Sequence, residues 1–146
     1  MLKITSLKTH HIDKVIAILH PILKDTRLKA SLKMHIKLGV AQIGIDDVTG
    51  KIEAIGCFVV GKTQRCSLSY YWISQKYRGK MESLFFYAHM FSLIPDGYPV
   101  YIHARNIESF KNYVSPTALK NEYLWCGLRS LDSMKEKVKA WAEQQK

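Results

Sequence analysis

The residues from Ser67 to Leu93 constrain the fold more than any other stretch. They open as a strand, with Leu68, Tyr70 and Trp72 on one face and Tyr71 and Ile73 on the other. A polar turn follows, Ser74-Gln75-Lys76-Tyr77-Arg78-Gly79-Lys80. Beyond it, Leu84, Phe85, Ala88, Phe91 and Ser92 recur at helical spacing. A strand that feeds a basic, glycine-containing turn and then a helix has a definite chemical consequence. The first helical N–H groups have no intrahelical partner, and the macrodipole adds positive potential at that end. Such an end suits phosphate, and Lys76, Arg78 and Lys80 add formal charge to it.

The rest of the chain supplies short elements on either side. Leu2-Lys3-Ile4 reads as an opening strand. Thr9 or His10 is placed to cap a helix whose Ile12, Val15, Ile16, Leu19 and Leu23 form one apolar stripe, with Pro21 expected to end or kink it near His20. A second helix is expected from Leu28 to Leu38, stopped by Gly39. Strands follow at 40–45, 52–60 and 66–73, separated by the turns Asp46-Asp47-Val48-Thr49-Gly50-Lys51 and Gly61-Lys62-Thr63-Gln64-Arg65. That is an antiparallel meander of three strands. After the helix, residues 99–104 form a strand expected to run parallel to the one before the helix, because a helix crosses over between them. A short helix over 106–113, a strand over 122–128 and an amphipathic helix carrying Leu131, Met134, Val138 and Trp141 complete the pattern.

Composition narrows the classes. The length of 146 residues suits a single domain with one hydrophobic core, and 47% apolar residues argue against disorder. No apolar run approaches the ~20 residues needed to span a bilayer, so no membrane is expected. The N-terminus lacks a signal-peptide core, so a cytoplasmic location is expected. Three cysteines at positions 57, 66 and 126 show no metal-ligand spacing and read as reduced thiols. The histidines do not pair with cysteines or carboxylates at metal spacing, so no metal is expected. The net charge of +10 favours anionic partners. Part of it lies between Lys24 and Lys37, where Lys24, Arg27, Lys29, Lys33 and Lys37 face Asp25 alone.

The Arg78-Gly79-Lys80-Met81-Glu82-Ser83 segment resembles the acetyl-CoA-binding motif of the GNAT N-acetyltransferases, which reads Arg/Gln-x-x-Gly-x-Gly/Ala. Met81 stands at the central glycine and Ser83 at the final small residue. The order of elements is also that of the GNAT fold, an α/β architecture with a mixed, mostly antiparallel sheet flanked by helices; the helix from Leu131 goes beyond it. The resemblance implies that Arg78, Gly79, Lys80, Met81, Glu82 and Ser83 hold the pyrophosphate of acetyl-CoA, and that Tyr71, Trp72 and Ile73 run beside its pantetheine arm. A second local match, Asn106 with Ser109 and Tyr113, implies a pantetheine contact from Asn106 and a proton from Tyr113 for the leaving thiolate. Ser115-Pro116 replaces the Gly-Phe that usually follows that tyrosine.

Acetyl transfer requires orientation of two reactants, an oxyanion contact and proton movement. A strand N–H at Tyr71 or Trp72 is a candidate for the oxyanion contact. Glu53, His103 and Glu82 are the candidates for a general base. Three functions stay open on these residues: an N-acetyltransferase with an acceptor that the charge suggests is anionic, whether acidic protein or nucleic acid; a catalytically inactive GNAT-fold scaffold, as some bacteriophage proteins of this size are; and a nucleic-acid-directed acyltransferase. Self-association into a homo-oligomer is left open.

Overall fold

The computed structural model describes residues 1–23, 25–60, 66–94 and 98–103, together with the backbone of two short strands at 114–115 and 122–125. The elements in chain order are β1 (Leu2–Ser6), α1 (Ile12–Leu23), α2 (Leu28–Leu38), β2 (Val40–Asp46), β3 (Ile52–Val60), β4 (Cys66–Ile73), α3 (Met81–Ser92), β5 (Val100–His103), β6 (Val114–Ser115) and β7 (Glu122–Trp125). The strands join in one sheet in the order β1-β2-β3-β4-β5-β7-β6. The expected meander is present, with β2, β3 and β4 antiparallel in sequence. After the α3 crossover, β5 returns parallel to β4. The remaining pairings are antiparallel, so the sheet is mixed and mostly antiparallel.

Each face of the sheet needs its own cover. One face packs Ile43, Ile55 and Tyr70 against Val15 and Leu19 of α1 and Leu28 and Leu32 of α2. The other packs Phe58, Leu68 and Ile102 against Phe86, Met90 and Phe91 of α3. The rings of Phe58 and Phe91 meet edge to face at 5.5 Å, and Tyr87 stacks on Phe91 at 4.5 Å. Burying one such ring is worth roughly 1.5–3 kcal/mol relative to leaving it exposed. Gly39 closes α2 because its N–H reaches the His35 carbonyl at 3.0 Å and because a Cβ there would lie 2.2 Å from the Phe58 carbonyl oxygen. The constraint is close approach of backbone rather than a left-handed conformation.

Several local expectations change. Helix α1 continues through Pro21 to Leu23. Proline two residues before a helix end removes a single hydrogen bond of the last turn, so the helix survives it. The start of α1 is preceded by a 3₁₀ turn at Thr9–His11, and the Lys8 amide donates to the ring Nδ1 of His11 at 3.0 Å. The buried face of α3 is Phe86, Tyr87, Ala88, Met90 and Phe91, whereas Phe85 is exposed. A helix apolar on nearly all sides does not declare its core face by spacing alone.

In β4 the simple alternation also fails. Cys57 pairs with Tyr70 but Phe58 pairs with Leu68, so Ser69 is an extra residue in the ladder. This bulge reverses the phase of the strand. Leu68 therefore joins the α3 face, while Tyr70 and Trp72 join the α1–α2 face.

Candidate functional site

The bulge lies just beyond the described pairing of β4 with β5. The two strands pair at Cys66–Val100, Ser67–Tyr101 and Leu68–Ile102. Beyond Leu68, β4 runs on to Ile73 bonded to β3, and β5 ends at His103. Tyr71 and Trp72 are half-buried. The Tyr71 ring lies 6.2 Å from Phe86 and 6.1 Å from Tyr87 under α3, and its phenol is held well above the ordinary range by burial. Trp72 faces the opposite side, against the α1–α2 core.

The loop that leaves this end of β4 is pinned along its first half. The Ser74 amide donates to the Glu53 carbonyl at 2.9 Å, and the amides of Tyr77 and Arg78 donate back to the Ser74 carbonyl. Asp46, at the end of β2 and 1% exposed, is the anchor. Its Oδ1 accepts the amides of Val48 and Thr49 at 2.9 and 3.0 Å. Its Oδ2 accepts Lys76 Nζ at 2.6 Å and the Tyr77 hydroxyl at 2.7 Å. Lys76, then Tyr77, then the two amides hold the Asp46 carboxyl far below its usual range. The same bond, followed by burial, pushes the Tyr77 phenol up. Arg78 turns back, with Nε 2.9 Å from the Ile73 carbonyl and a guanidinium nitrogen 3.2 Å from Gln75 Oε1.

The second half of the loop is open. Gly79 has a φ of +74°, which glycine adopts without strain, and nothing lies within 4 Å of where a Cβ would stand. Lys80 is exposed and extended at the start of α3. Among the described residues, the N–H groups of Gly79, Met81 and Glu82 have no intramolecular acceptor, whereas that of Ser83 bonds the Lys80 carbonyl at 3.1 Å. The Ser83 hydroxyl caps the same carbonyl at 2.7 Å. The Glu82 carboxylate is drawn away to the Leu2 amide at 2.8 Å. Met81 is half-buried. Uncommitted amides, one exposed ammonium and open space together fit a phosphate group.

No family model matches the sequence, and no curated protein does either. Solved structures do match. A GNAT-family acetyltransferase from Bacillus cereus aligns with a TM-score of 0.64 at 16% identity, over 86% of this chain and 95% of its own. The chain has the GNAT fold. The Escherichia coli GNAT N-acetyltransferase YhbS, solved in complex with CoA, aligns with a TM-score of 0.60 at 14% identity, over 84% of this chain and 79% of its own. YncA from Salmonella typhimurium, a putative acetyltransferase solved with acetyl-CoA, gives 0.59 at 10% identity, over 86% and 91%.

Within the GNAT fold, the loop and strand residues named from sequence fall at one end of the sheet: Tyr71, Trp72 and Ile73 at the C-terminal end of β4, and Arg78 to Ser83 around the start of α3. Glu53 lies beside them, as the extra residue of a second bulge, in β3. It lines a groove of about 460 Å³ with Lys14, Ile18, Lys51 and Ile52. His103 ends β5, one residue beyond the last β4–β5 pair. Asn106 and Tyr113 lie outside the described residues. Cys57 and Cys66 are buried, with thiols pushed up to about 12, so neither is a nucleophile at neutral pH. The loop's anchor, Asp46, was not legible as such. An aspartate opening a turn signals local capping, and it does cap Val48 and Thr49, but nothing nearby announces partners thirty residues on.

Proposed function

We propose that the protein is an N-acetyltransferase that takes acetyl-CoA as acyl donor. The observation that carries this reading is the open start of α3 after a left-handed Gly79, with the amides of Gly79, Met81 and Glu82 uncommitted among the described residues, in a GNAT fold. Acetyl-CoA would supply the activated thioester. The amides of Gly79, Met81 and Glu82, with Lys80, would hold its pyrophosphate, and β4 from Tyr71 to Ile73, with Asn106, would orient its pantetheine arm. Attack by an acceptor amine forms the C–N bond and breaks the C–S bond. The proton lost by the amine passes to Glu53 or His103, and Tyr113 returns one to the thiolate. Proximity and orientation carry most of the rate in such a step.

A second reading, a GNAT-fold scaffold that binds without turnover, is favoured by one feature. Lys76 and Arg78 are both exposed but already bonded within the chain, so the phosphate site would rely on backbone and Lys80. Calorimetric titration with acetyl-CoA and with CoA, followed by thiol release with a panel of amines, separates the readings. Binding with thiol release supports the enzyme; binding with no release for any amine supports the scaffold. Absence of binding at millimolar ligand excludes acetyl-CoA chemistry.

A further inference from the structure

Helix α2 presents a row of cations that the cofactor site does not use. Its inner face, Leu28, Leu32 and His35, is buried against the sheet. Arg27, Lys29, Lys33 and Lys37 are all exposed. Lys29, Lys33 and Lys37 recur at i, i+4 and i+8, which sets them one above another on the solvent side, about 6 Å apart along the axis. With Arg27, four cations span about 15 Å of helix. Among the described residues no carboxylate pairs with the three lysines. The sequence holds no acidic residue between Asp25 and Asp46. Asp25 itself accepts the Arg27 amide at 2.8 Å and is the nearest carboxylate to the row in sequence.

We infer that this face of α2 binds the sugar–phosphate backbone of a nucleic acid, independently of base sequence and of the acetyl-CoA site. A duplex carries one negative charge per about 1.7 Å of axis. That line charge is denser than the row's own, so several of the cations can reach phosphates without a fixed register. The cations are long side chains on one straight helix, and a straight polyanion can engage them together. An acidic protein segment would instead have to match both the spacing and the neighbouring side chains. Met34 and Leu38, exposed by 41% and 67%, lie beside the row rather than within it, and a phosphate backbone leaves them untouched. The net charge of +10 adds a long-range attraction.

The test is fluorescence anisotropy with a labelled 20-base-pair DNA duplex in two unrelated sequences, titrated at several salt concentrations. Binding at micromolar protein in low salt is expected, equal for both sequences, with log affinity falling against log salt at a slope of about −3.6 for four contacts. The triple variant Lys29→Gln, Lys33→Gln, Lys37→Gln should flatten that slope by about 2.7 and lower low-salt affinity at least tenfold. Circular dichroism checks that it is folded, as exposed lysines predict. Met34→Ser with Leu38→Ser should leave the slope unchanged. No binding by the unmodified protein at low salt overturns the inference, as does a triple variant with the parent slope. A 20-residue polyglutamate that binds as tightly as the duplex, or loss of binding in the Met34/Leu38 variant, overturns it in favour of a protein partner. All of these outcomes are read without acetyl-CoA, so they stand whether or not the transferase reading does.

Discussion

The two halves of the loop between β4 and α3 are built on opposite principles. From Ser74 to Arg78 it is tied down: Tyr77 is buried, Lys76 and the Tyr77 hydroxyl meet Asp46, and Arg78 folds onto the end of β4. From Gly79 to Glu82 it is open, with uncommitted amides and a left-handed glycine facing empty space. The charged residues that look most like ligands in the sequence are largely spent on holding the loop, and in the proposed function the phosphates would fall to the backbone beyond them. A charge brought near phosphate by a flexible side chain costs side-chain entropy on binding, whereas amides fixed by an anchored loop are already in place.

The largest expected effect comes from cutting the anchor. Tyr77→Ala removes a ring that is 4% exposed together with its hydroxyl, and should cost about 3–5 kcal/mol in denaturant unfolding. Tyr77→Phe keeps the ring and loses only the bond to a carboxylate, so about 1.5–3 kcal/mol is expected. If the two variants are equally destabilised, the hydroxyl bond, and not the ring, is the anchor.

Acid should act on the same point. Asp46 has a pKa held below its ordinary value in the folded protein, so the folded state binds fewer protons there than the unfolded one. Its contribution is complete above the unfolded carboxylate value of about 3.9 and is lost as pH falls below it. Thermal midpoints measured from pH 6 down to pH 2 should fall, and Asp46→Asn should flatten the fall while lowering the midpoint at pH 6. An unchanged acid profile in Asp46→Asn would remove Asp46 from the account.

In the open half, the effects on stability are smaller and those on ligand larger. Gly79→Ala forces a Cβ into the left-handed region at about 1–2 kcal/mol. The cost is purely conformational, because no neighbour is met. Lys80→Gln, at an exposed position, should change stability by less than about 0.5 kcal/mol yet weaken acetyl-CoA binding severalfold, more at low salt than at high. Met81→Gly should strengthen that binding if its side chain obstructs the phosphate, and leave it unchanged if the half-buried side chain points away.

Much of the fold was legible because its signals are periodic. The meander, the crossover to a parallel β5 and the stop at Gly39 follow from alternation, turn residues and a helix between strands. What was hidden depends on pairing across the sheet. The Ser69 bulge inserts one residue into β4 and turns Tyr70 to the face opposite Leu68, and no local property of a serine between leucine and tyrosine announces it. The core face of α3 was hidden for a different reason: Leu84, Phe85, Phe86 and Tyr87 are all large and apolar, so the sheet decides which of them are buried. In the loop, the turn at Gly79 was readable from a glycine among basic residues. The diversion of Lys76 to Asp46 was not, since it joins residues thirty positions apart.

The central claim is that the open half of the loop, rather than its charged first half, receives the cofactor's phosphates. Amide chemical shifts of ¹⁵N-labelled protein titrated with CoA test it most directly. The account predicts the largest changes at Gly79, Met81 and Glu82 and along 69–73, with the Lys76 and Tyr77 amides nearly still and the Tyr77–Asp46 bond intact. Largest changes at Lys76 to Arg78, or shifts confined to other parts of the molecule, would contradict it.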